Sequence, residues 1–366
     1  SAVTSSNFGG TALHLASEYG HLEVVKILLD GPNITIHPAV VGADEQCYIV
    51  GPADVNAKDN YRGTPLGGAC RNGHTNIAKL LLEKGADLNP QGERWDTPFS
   101  LACRNGHMDI VKLLLEKGAN LNPQGGRWGT PLGVACMNGH MDIVKLLLEK
   151  GADPNPQGER WNILLSGACR NGNMNITKLL LEKGANLNLQ GERWSTPLGG
   201  ASMNGHMNIV ELLLEKGADL NPQGGPWGPP LSLACRNGHT DIAKLLLENG
   251  ADPNPQGEGW NTPLSGACLN GHMGIVKLLL EKGADPNPQG EGLGTPLSEA
   301  CCNGHMNIVK LLLEKGADPN PQGERWGTPL SKACHNGHMS VVKLLLEKGA
   351  DPNPQGELTP SEWSTC

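Results

Sequence analysis

The sequence has few aromatic residues and no long hydrophobic run. Phenylalanine, tyrosine and tryptophan make up 4% of the 366 residues. No apolar run approaches the ~18 residues that a transmembrane helix needs, so we expect no membrane insertion. The first ten residues hold neither a basic start nor an apolar stretch, which argues against a signal peptide. The chain also lacks an initiator methionine, and we expect a processed chain or a piece of a longer protein.

The charge balance is mildly acidic. The chain carries 37 acidic and 29 basic side chains, for a formal net charge of −8 and a pI near 5.8. Nucleic-acid-binding domains are normally basic, so this balance makes nucleic acid an improbable partner.

Glycine and proline are abundant, with 50 and 27 residues, and they recur at a fixed spacing. The strings TPLG, TPFS and TPLS return every 33 residues, and Ile163 and Pro229 stand where the threonine is missing. An earlier copy begins at Thr11, 53 residues before Thr64, which is one period plus an insertion of 20 at about 31–50. The ten copies start near Thr11, Thr64, Thr97, Thr130, Ile163, Thr196, Pro229, Thr262, Thr295 and Thr328. This period predicts a solenoid.

We predict one repeat array over residues 1–357, with 358–366 as the start of a truncated further copy or a tail. Neither end shows a clearly polar capping copy. The insertion is either a binding loop or a tolerated interruption.

Each copy predicts two short helices. In the copy at Thr97, this threonine caps the first helix and Pro98 occupies its first position. Gly106 ends that helix through a left-handed turn, and a second amphipathic helix follows from Asp109 until Gly118. A single copy cannot bury so much apolar surface, so the copies must stack on one another.

These features resemble the ankyrin repeat. The resemblance rests on TPL opening the first helix and on GH-x-x-IV-K-LLLEKGAD-x-N closing the copy, and it covers about residues 7 to 357. It implies an all-α solenoid of stacked helix-turn-helix units with short β-hairpin-like fingers. The first copy is closest to the family pattern, with Thr11, Leu13 and His14. In the family this histidine ties neighbouring copies together, and later copies have glycine or serine there.

Eight of the eleven cysteines follow the same period, with Ser202 in the gap: Cys70, Cys103, Cys136, Cys169, Cys235, Cys268, Cys301 and Cys334. Equivalent helices in neighbouring copies lie roughly 8–10 Å apart, beyond the usual Cα separation of a disulfide. We therefore expect small buried side chains in a reducing compartment. This predicts a cytoplasmic protein, with the nucleus as the alternative.

A Cys-x-x-x-His spacing also recurs, as in Cys103 and His107. The intervening glycine should leave the cysteine inside the stack and the histidine in the turn, so the pair should converge neither on zinc nor on a nucleophile and its base. We expect no enzyme activity, no metal and no cofactor.

Arginine forms two columns that the resemblance places on partner-binding surfaces. In the family, partners usually contact the exposed side of the first helices and the fingers. The candidate residues are Arg71, Arg104, Arg170 and Arg236 on the helices and Arg94, Arg127, Arg160, Arg193 and Arg325 on the fingers. Guanidinium groups bind carboxylates, phosphates and aromatic side chains well. The alternative is that they are solvated and paired with the neighbouring glutamates.

Tryptophans recur beside the finger arginines, at 95, 128, 161, 194, 227, 260 and 326, with Leu293 in the gap. Large aromatic side chains are seldom exposed, so we favour packing between fingers over stacking on a ligand.

The sequence thus predicts a non-enzymatic protein-protein interaction scaffold. Its partner would be a protein that is acidic, phosphorylated or repetitive. A repetitive partner is expected because the copies at Thr295 and Thr328 are nearly identical. A mechanical or spacer array is the alternative, and nucleic-acid binding is a weaker one. The oligomeric state is left open.

Overall fold

A computed structural model describes residues 10–31, 34–36, 48–50, 52–60, 63–90, 97–123, 129–156, 164–189, 195–222, 228–255, 262–288, 294–321 and 327–353. The chain divides into two compact units, Ser1–Leu164 and Leu165–Cys366. Each unit is built from pairs of short helices, as the 33-residue period predicts.

The described part of the first unit holds eight helices and two strands. They are α1 Ala12–Glu18, α2 Leu22–Asp30, β1 Ile34–Ile36, β2 Tyr48–Val50, α3 Pro65–Arg71, α4 Thr75–Glu83, α5 Pro98–Asn105, α6 Met108–Glu116, α7 Pro131–Asn138 and α8 Met141–Glu149.

The helices of the second unit start with the one at the unit boundary, α9 Leu164–Arg170. They continue as α10 Met174–Glu182, α11 Pro197–Met203, α12 Met207–Glu215, α13 Pro230–Arg236, α14 Thr240–Glu248, α15 Pro263–Leu269, α16 Met273–Glu281, α17 Pro296–Cys302, α18 Met306–Glu314, α19 Pro329–His335 and α20 Met339–Glu347.

The first helices begin as the sequence predicts. Thr97 Oγ1 accepts a hydrogen bond from the backbone N–H of Ser100 at 3.1 Å, and Pro98 follows it at a position that needs no N–H donor. Pro229 makes no such side-chain cap. Gly106 ends α5 with φ of 80°, the left-handed conformation expected there.

The core lies between stacked copies. In the first unit α1, α3, α5 and α7 pack side by side, and so do α2, α4, α6 and α8. In the second unit the same arrangement joins first helices α11 to α19 and second helices α10 to α20. Ile110, Val111 and Leu114 of α6 are fully buried, and each such side chain contributes about 1.5–3 kcal/mol relative to an exposed one.

The insertion contains a small antiparallel ladder. β1 pairs with β2 so that Ile34 lies opposite Val50 and Ile36 opposite Tyr48. The chain therefore folds back on itself here before the repeat pattern resumes. The fingers predicted after later second helices, including their tryptophans, lie outside the described residues.

In eight copies a histidine in the turn between the two helices ties that copy to the one before it, whereas Asn173 takes this position in the copy at Ile163. The carbonyl oxygen can only accept, so the imidazole Nε2 is the donor. Its acceptor is a backbone carbonyl 36 residues earlier. In the first such pair the separation is longer because the insertion lies between the two residues. The bonds run from His74 to Glu18, His107 to Arg71, His140 to Arg104, His206 to Arg170, His239 to Met203, His272 to Arg236, His305 to Leu269 and His338 to Cys302, at 2.9–3.2 Å.

A second tie comes from an asparagine at the end of eight of the copies. Its Oδ1 accepts from the backbone N–H of the residue 31 positions later: Asp87 for Asn56, Asn120 for Asn89, Asp153 for Asn122, Asp219 for Asn188, Asp252 for Asn221, Asp285 for Asn254, Asp318 for Asn287 and Asp351 for Asn320, at 2.7–3.2 Å. In several copies its Nδ2 also donates to the glycine carbonyl of the next copy, as from Asn287 to Gly316 at 2.8 Å.

The loss of the family histidine after the first copy therefore does not leave the copies untied. His14 itself bridges Thr11 and the carbonyl of Gly63, at 3.0 Å from Nε2. From the second copy onward the turn histidine and the end asparagine join successive copies within each unit. Side chains 31 and 36 residues from their partners thus fix the stacking register.

Candidate functional site

The first-helix column is the set of positions at the carboxyl ends of the first helices, one per copy. Its members from the second copy onward are Arg71, Arg104, Met137, Arg170, Met203, Arg236, Leu269, Cys302 and His335. All are exposed or half-exposed. The column therefore offers a repeated series of accessible side chains.

The histidine ties act directly on this column. The carbonyls of Arg71, Arg104, Arg170 and Arg236 each accept a hydrogen bond from the next copy's histidine. The backbone at each arginine is therefore held in a repeated position. The tie uses the main-chain carbonyl of each arginine and not its guanidinium group.

The arginines differ in their surroundings. Arg71 and Arg236 are exposed, and no ion pair between described residues involves them. Arg104 and Arg170 are half-buried, and each makes an interaction in addition to the bond that its main-chain carbonyl accepts. The carboxylates that sequence analysis offered as their partners belong to the fingers and lie outside the described residues.

The residue three positions before each column residue differs in type from copy to copy. It is small at Gly200 and Gly266, where an added Cβ would lie 3.3 Å and 3.2 Å from the Cβ atoms of Arg170 and Arg236. Glycine therefore lets neighbouring first helices approach closely beside these arginines.

In the last two copies the same position holds an ion pair. Lys332 Nζ lies 3.3 Å from Glu299 Oε1 and donates to Ser298 Oγ at 3.3 Å. Both charged side chains are nearly buried, with exposed fractions of 7% and 14%. Two of the few residues that distinguish these similar copies therefore contact each other.

The five finger arginines of the candidate site, Arg94, Arg127, Arg160, Arg193 and Arg325, lie outside the described residues. Sequence reasoning missed the turn histidines and the end asparagines. Their 33-residue spacing, which Asn173 interrupts for the histidines, was the available signal, but it did not reveal that their partners lie in a neighbouring copy.

Seven of the eight cysteines that follow the 33-residue period are buried, as predicted. The nine cysteines within the described residues are free thiols, and seven of them are buried, from Cys70 to Cys301. Burial raises the pKa of the Cys169 thiol to about 12, although a hydrogen bond with Thr177 opposes the shift. Burial also raises the pKa of the thiols of Cys70 and Cys103. Such thiols stay protonated near neutral pH, which makes them poor nucleophiles and metal ligands.

Cys334, in the last copy, is exposed, in contrast to the expectation for its column. No further copy covers it in the described structure.

Neither a metal-binding cluster nor a membrane-spanning helix occurs among the described residues. They contain no group of three or more His, Cys, Asp or Glu side chains suited to holding a metal ion. Within the same residues, no helix is both long and apolar enough to cross a membrane.

A stack of paired short helices, tied copy to copy, defines a repeat solenoid. The family described as "Ankyrin repeats (3 copies)" matches residues 39–125, 90–158, 132–224, 225–290 and 289–356, and the one described as "Ankyrin repeat" matches residues 8–37. The chain belongs to the ankyrin-repeat family.

Among solved structures, the chain is similar to the one described as "Crystal structure of human ASB11 ankyrin repeat domain". The two are 27% identical with a TM-score of 0.52, and the match covers 61% of this chain and 99% of that one. No curated protein matches the chain. Ankyrin repeats are in general modules for protein-protein interaction, and the family is generally non-enzymatic.

Proposed function

We propose that the chain is a scaffold that binds an extended protein segment along the first-helix column of each unit, through Arg71 and Arg104 in the first unit and Arg170 and Arg236 in the second. The observation that carries the proposal is the tie of each of these backbones to the next copy. A backbone that is already fixed loses less conformational entropy on binding, so the free-energy cost of binding is smaller. The finger arginines Arg94, Arg127, Arg160, Arg193 and Arg325 would extend the same surface.

The chemistry of the column favours a partner with carboxylate or phosphate groups. Guanidinium groups bind both through paired N–H donors. Within each unit, an acidic or phosphorylated segment with a repetitive sequence would meet successive arginines. The chain's acidic net charge of −8 disfavours nucleic acid as this partner. The buried free thiols support a reducing location, which we propose is the cytoplasm or the nucleus.

The test compares two triple variants in a pull-down from cytosolic extract. One carries Arg71→Ala, Arg104→Ala and Arg170→Ala. The matched control carries Lys79→Ala, Lys112→Ala and Lys178→Ala, which remove three exposed cations from the second helices of the same copies. We expect a partner on the wild-type chain and on the control that is lost from the arginine variant.

Phosphatase treatment of the extract separates the two anionic chemistries, since it abolishes binding of a phosphorylated partner alone. The same partners on all three proteins would contradict the proposal. That outcome would favour the spacer array, which the repeated ties between copies support. For a spacer, deletion of whole copies would alter the function, whereas substitution of surface residues would not.

A further inference from the structure

In the second unit, basic and apolar side chains alternate along the first-helix column. Arg170, Met203, Arg236 and Leu269 occupy the column in four successive copies. Arg236 is exposed, and the other three side chains are half-buried. The first unit lacks this alternation, since its two column arginines lie in adjacent copies. A ligand that follows the column in the second unit therefore meets a cation and an apolar side chain in turn.

The histidine tie holds the backbone at all four of these positions. The carbonyls of Arg170, Met203, Arg236 and Leu269 each accept a hydrogen bond from the turn histidine of the next copy, at 2.9–3.2 Å. The carbonyl of Arg236 also accepts from Nδ2 of Asn270 at 2.8 Å. Packed helices lie about 8–10 Å apart, so successive column side chains leave the surface at steps of about this length.

A glycine leaves space beside the Cβ atom of each of these two arginines. Gly200 and Gly266 are buried in the copies that follow Arg170 and Arg236. A Cβ built on Gly266 would lie 3.2 Å from Cβ and 3.5 Å from Cα of Arg236, so a larger side chain there would displace the arginine. The equivalent residues in the copies that follow the two apolar members are larger, namely Leu233 and Glu299. This neighbouring position therefore alternates with the same two-copy period.

The step along the column matches one backbone conformation of an extended ligand. A polyproline II helix has three residues per turn, so every third side chain points to the same side, at steps of about 9 Å. In a β-strand the same side recurs at every second residue, after about 7 Å. An α-helix presents the same side again after two turns, at about 11 Å. The polyproline II step alone falls in the range of about 8–10 Å that separates packed helices.

We propose that the first-helix column of the second unit binds a polyproline II segment in which acidic and aliphatic residues alternate at every third position. The carboxylates pair with Arg170 and Arg236, because guanidinium groups bind carboxylates through paired N–H donors. The aliphatic side chains pack on Met203 and Leu269, which removes apolar surface from water on both sides of the contact. The inference rests on the proposed function, since it names the class of partner for the same surface.

The test titrates the full chain with two fluorescent peptides of identical composition. The periodic peptide is three copies of Glu-Pro-Pro-Leu-Pro-Pro, which keeps the required spacing in either chain direction. The shifted peptide is three copies of Glu-Pro-Leu-Pro-Pro-Pro, which is equally rich in proline but places its leucines on a different side from its glutamates. We expect the periodic peptide to bind at least about tenfold more tightly by fluorescence anisotropy.

A charge-reversal variant tests the apolar members of the column. Met203→Glu with Leu269→Glu should weaken binding of the periodic peptide at least about tenfold. The same variant should bind more tightly than the wild type to a periodic peptide with lysine in place of leucine, a gain that unfolding could not produce. The control, Lys277→Gln with Lys310→Gln, changes the net charge equally at exposed sites of the second helices and should bind as the wild type does.

Equal affinities for the periodic and shifted peptides would overturn the proposal. If Arg170→Ala with Arg236→Ala then weakened both peptides alike, the column would bind carboxylates without this register, and the proposed function would stand. A wild-type chain that binds neither peptide would also overturn the proposal, whereas the pull-down decides the proposed function separately. So would a charge-reversal variant that binds the periodic peptide as tightly as the wild type does.

Discussion

The imidazole of His107 lies against the α-carbon of Gly73 in the preceding copy. A Cβ built on Gly73 would lie 2.7 Å from Cε1 of the ring, and Gly73 also has a φ of 80°. The glycine thus meets two demands at once: a left-handed turn that ends a helix, and space for the next copy's histidine. The same relationship recurs for Gly106 with His140 and for Gly205 with His239.

Substitution by alanine should therefore cost more stability at a glycine that faces a histidine than at a glycine that only has a positive φ. Gly118 has a φ of 88°, but a Cβ there meets nothing within 4 Å, so Gly118→Ala should cost about 1 kcal/mol from backbone strain alone. Gly106→Ala adds a clash with His140 and should cost more. Urea unfolding of the two variants measures the difference.

The control for this prediction is the double variant Gly106→Ala with His140→Ala. Removing the ring should bring the cost of the alanine close to that at Gly118. Equal costs at Gly106 and Gly118 in the wild-type background would contradict the packing account.

Cap loss predicts uneven stability along the array. Pro229 provides no side-chain cap for α13, and Ile163 replaces the capping threonine in the copy at that position. A missing cap costs about 1 kcal/mol, so these copies should exchange amide hydrogens fastest among the internal ones. Pro229→Thr should slow exchange in α13, whereas uniform protection from Thr97 to Asn320 would count against the prediction.

The buried ion pair between Lys332 and Glu299 predicts strong non-additivity. Lys332→Met alone leaves a nearly buried carboxylate unpaired and should destabilise by about 3 kcal/mol. Earlier copies place leucine at the same position, at Leu101 and Leu233, both of which are buried. The double variant with leucine at 299 and 332 should therefore lie within about 1 kcal/mol of wild type. Additive losses in thermal unfolding would show that the two side chains act independently.

The cysteines predict selective reaction with thiol reagents. Cys334 is exposed and should react quickly with iodoacetamide at pH 8, whereas Cys169 should react only on unfolding. Mass spectrometry of native and urea-treated samples measures this, and rapid native labelling of Cys169 would contradict its burial.

The same thiols predict a loss of stability in alkali. Burial raises the folded-state pKa of Cys169 from 9.0 to about 12, so its unfolded form ionises first. The stability that this thiol contributes is present below pH 9 and is lost as the pH rises from 9 toward 12. Unfolding midpoints measured across this range should fall, and Cys169→Ser should reduce the slope.

Local features were predictable from the sequence because their causes are local. Thr97 and Pro98 fix the start of a helix, Gly106 fixes its end, and the period alone required stacking. The ties were not predictable in this way, because His107 and Arg71 meet only once the stacking register exists. The first-helix arginines were placed on an accessible surface, but the exposure of Cys334 depends on its position in the last copy and not on its own sequence.

The most direct test of the central claim is the affinity of the recovered partner for three proteins, measured by isothermal titration calorimetry. These are the wild type, the triple variant at Arg71, Arg104 and Arg170, and the triple variant at Lys79, Lys112 and Lys178. If the first-helix column binds the partner, the arginine variant loses at least about tenfold in affinity while the lysine variant matches the wild type. Equal affinities for the arginine and lysine variants would contradict it.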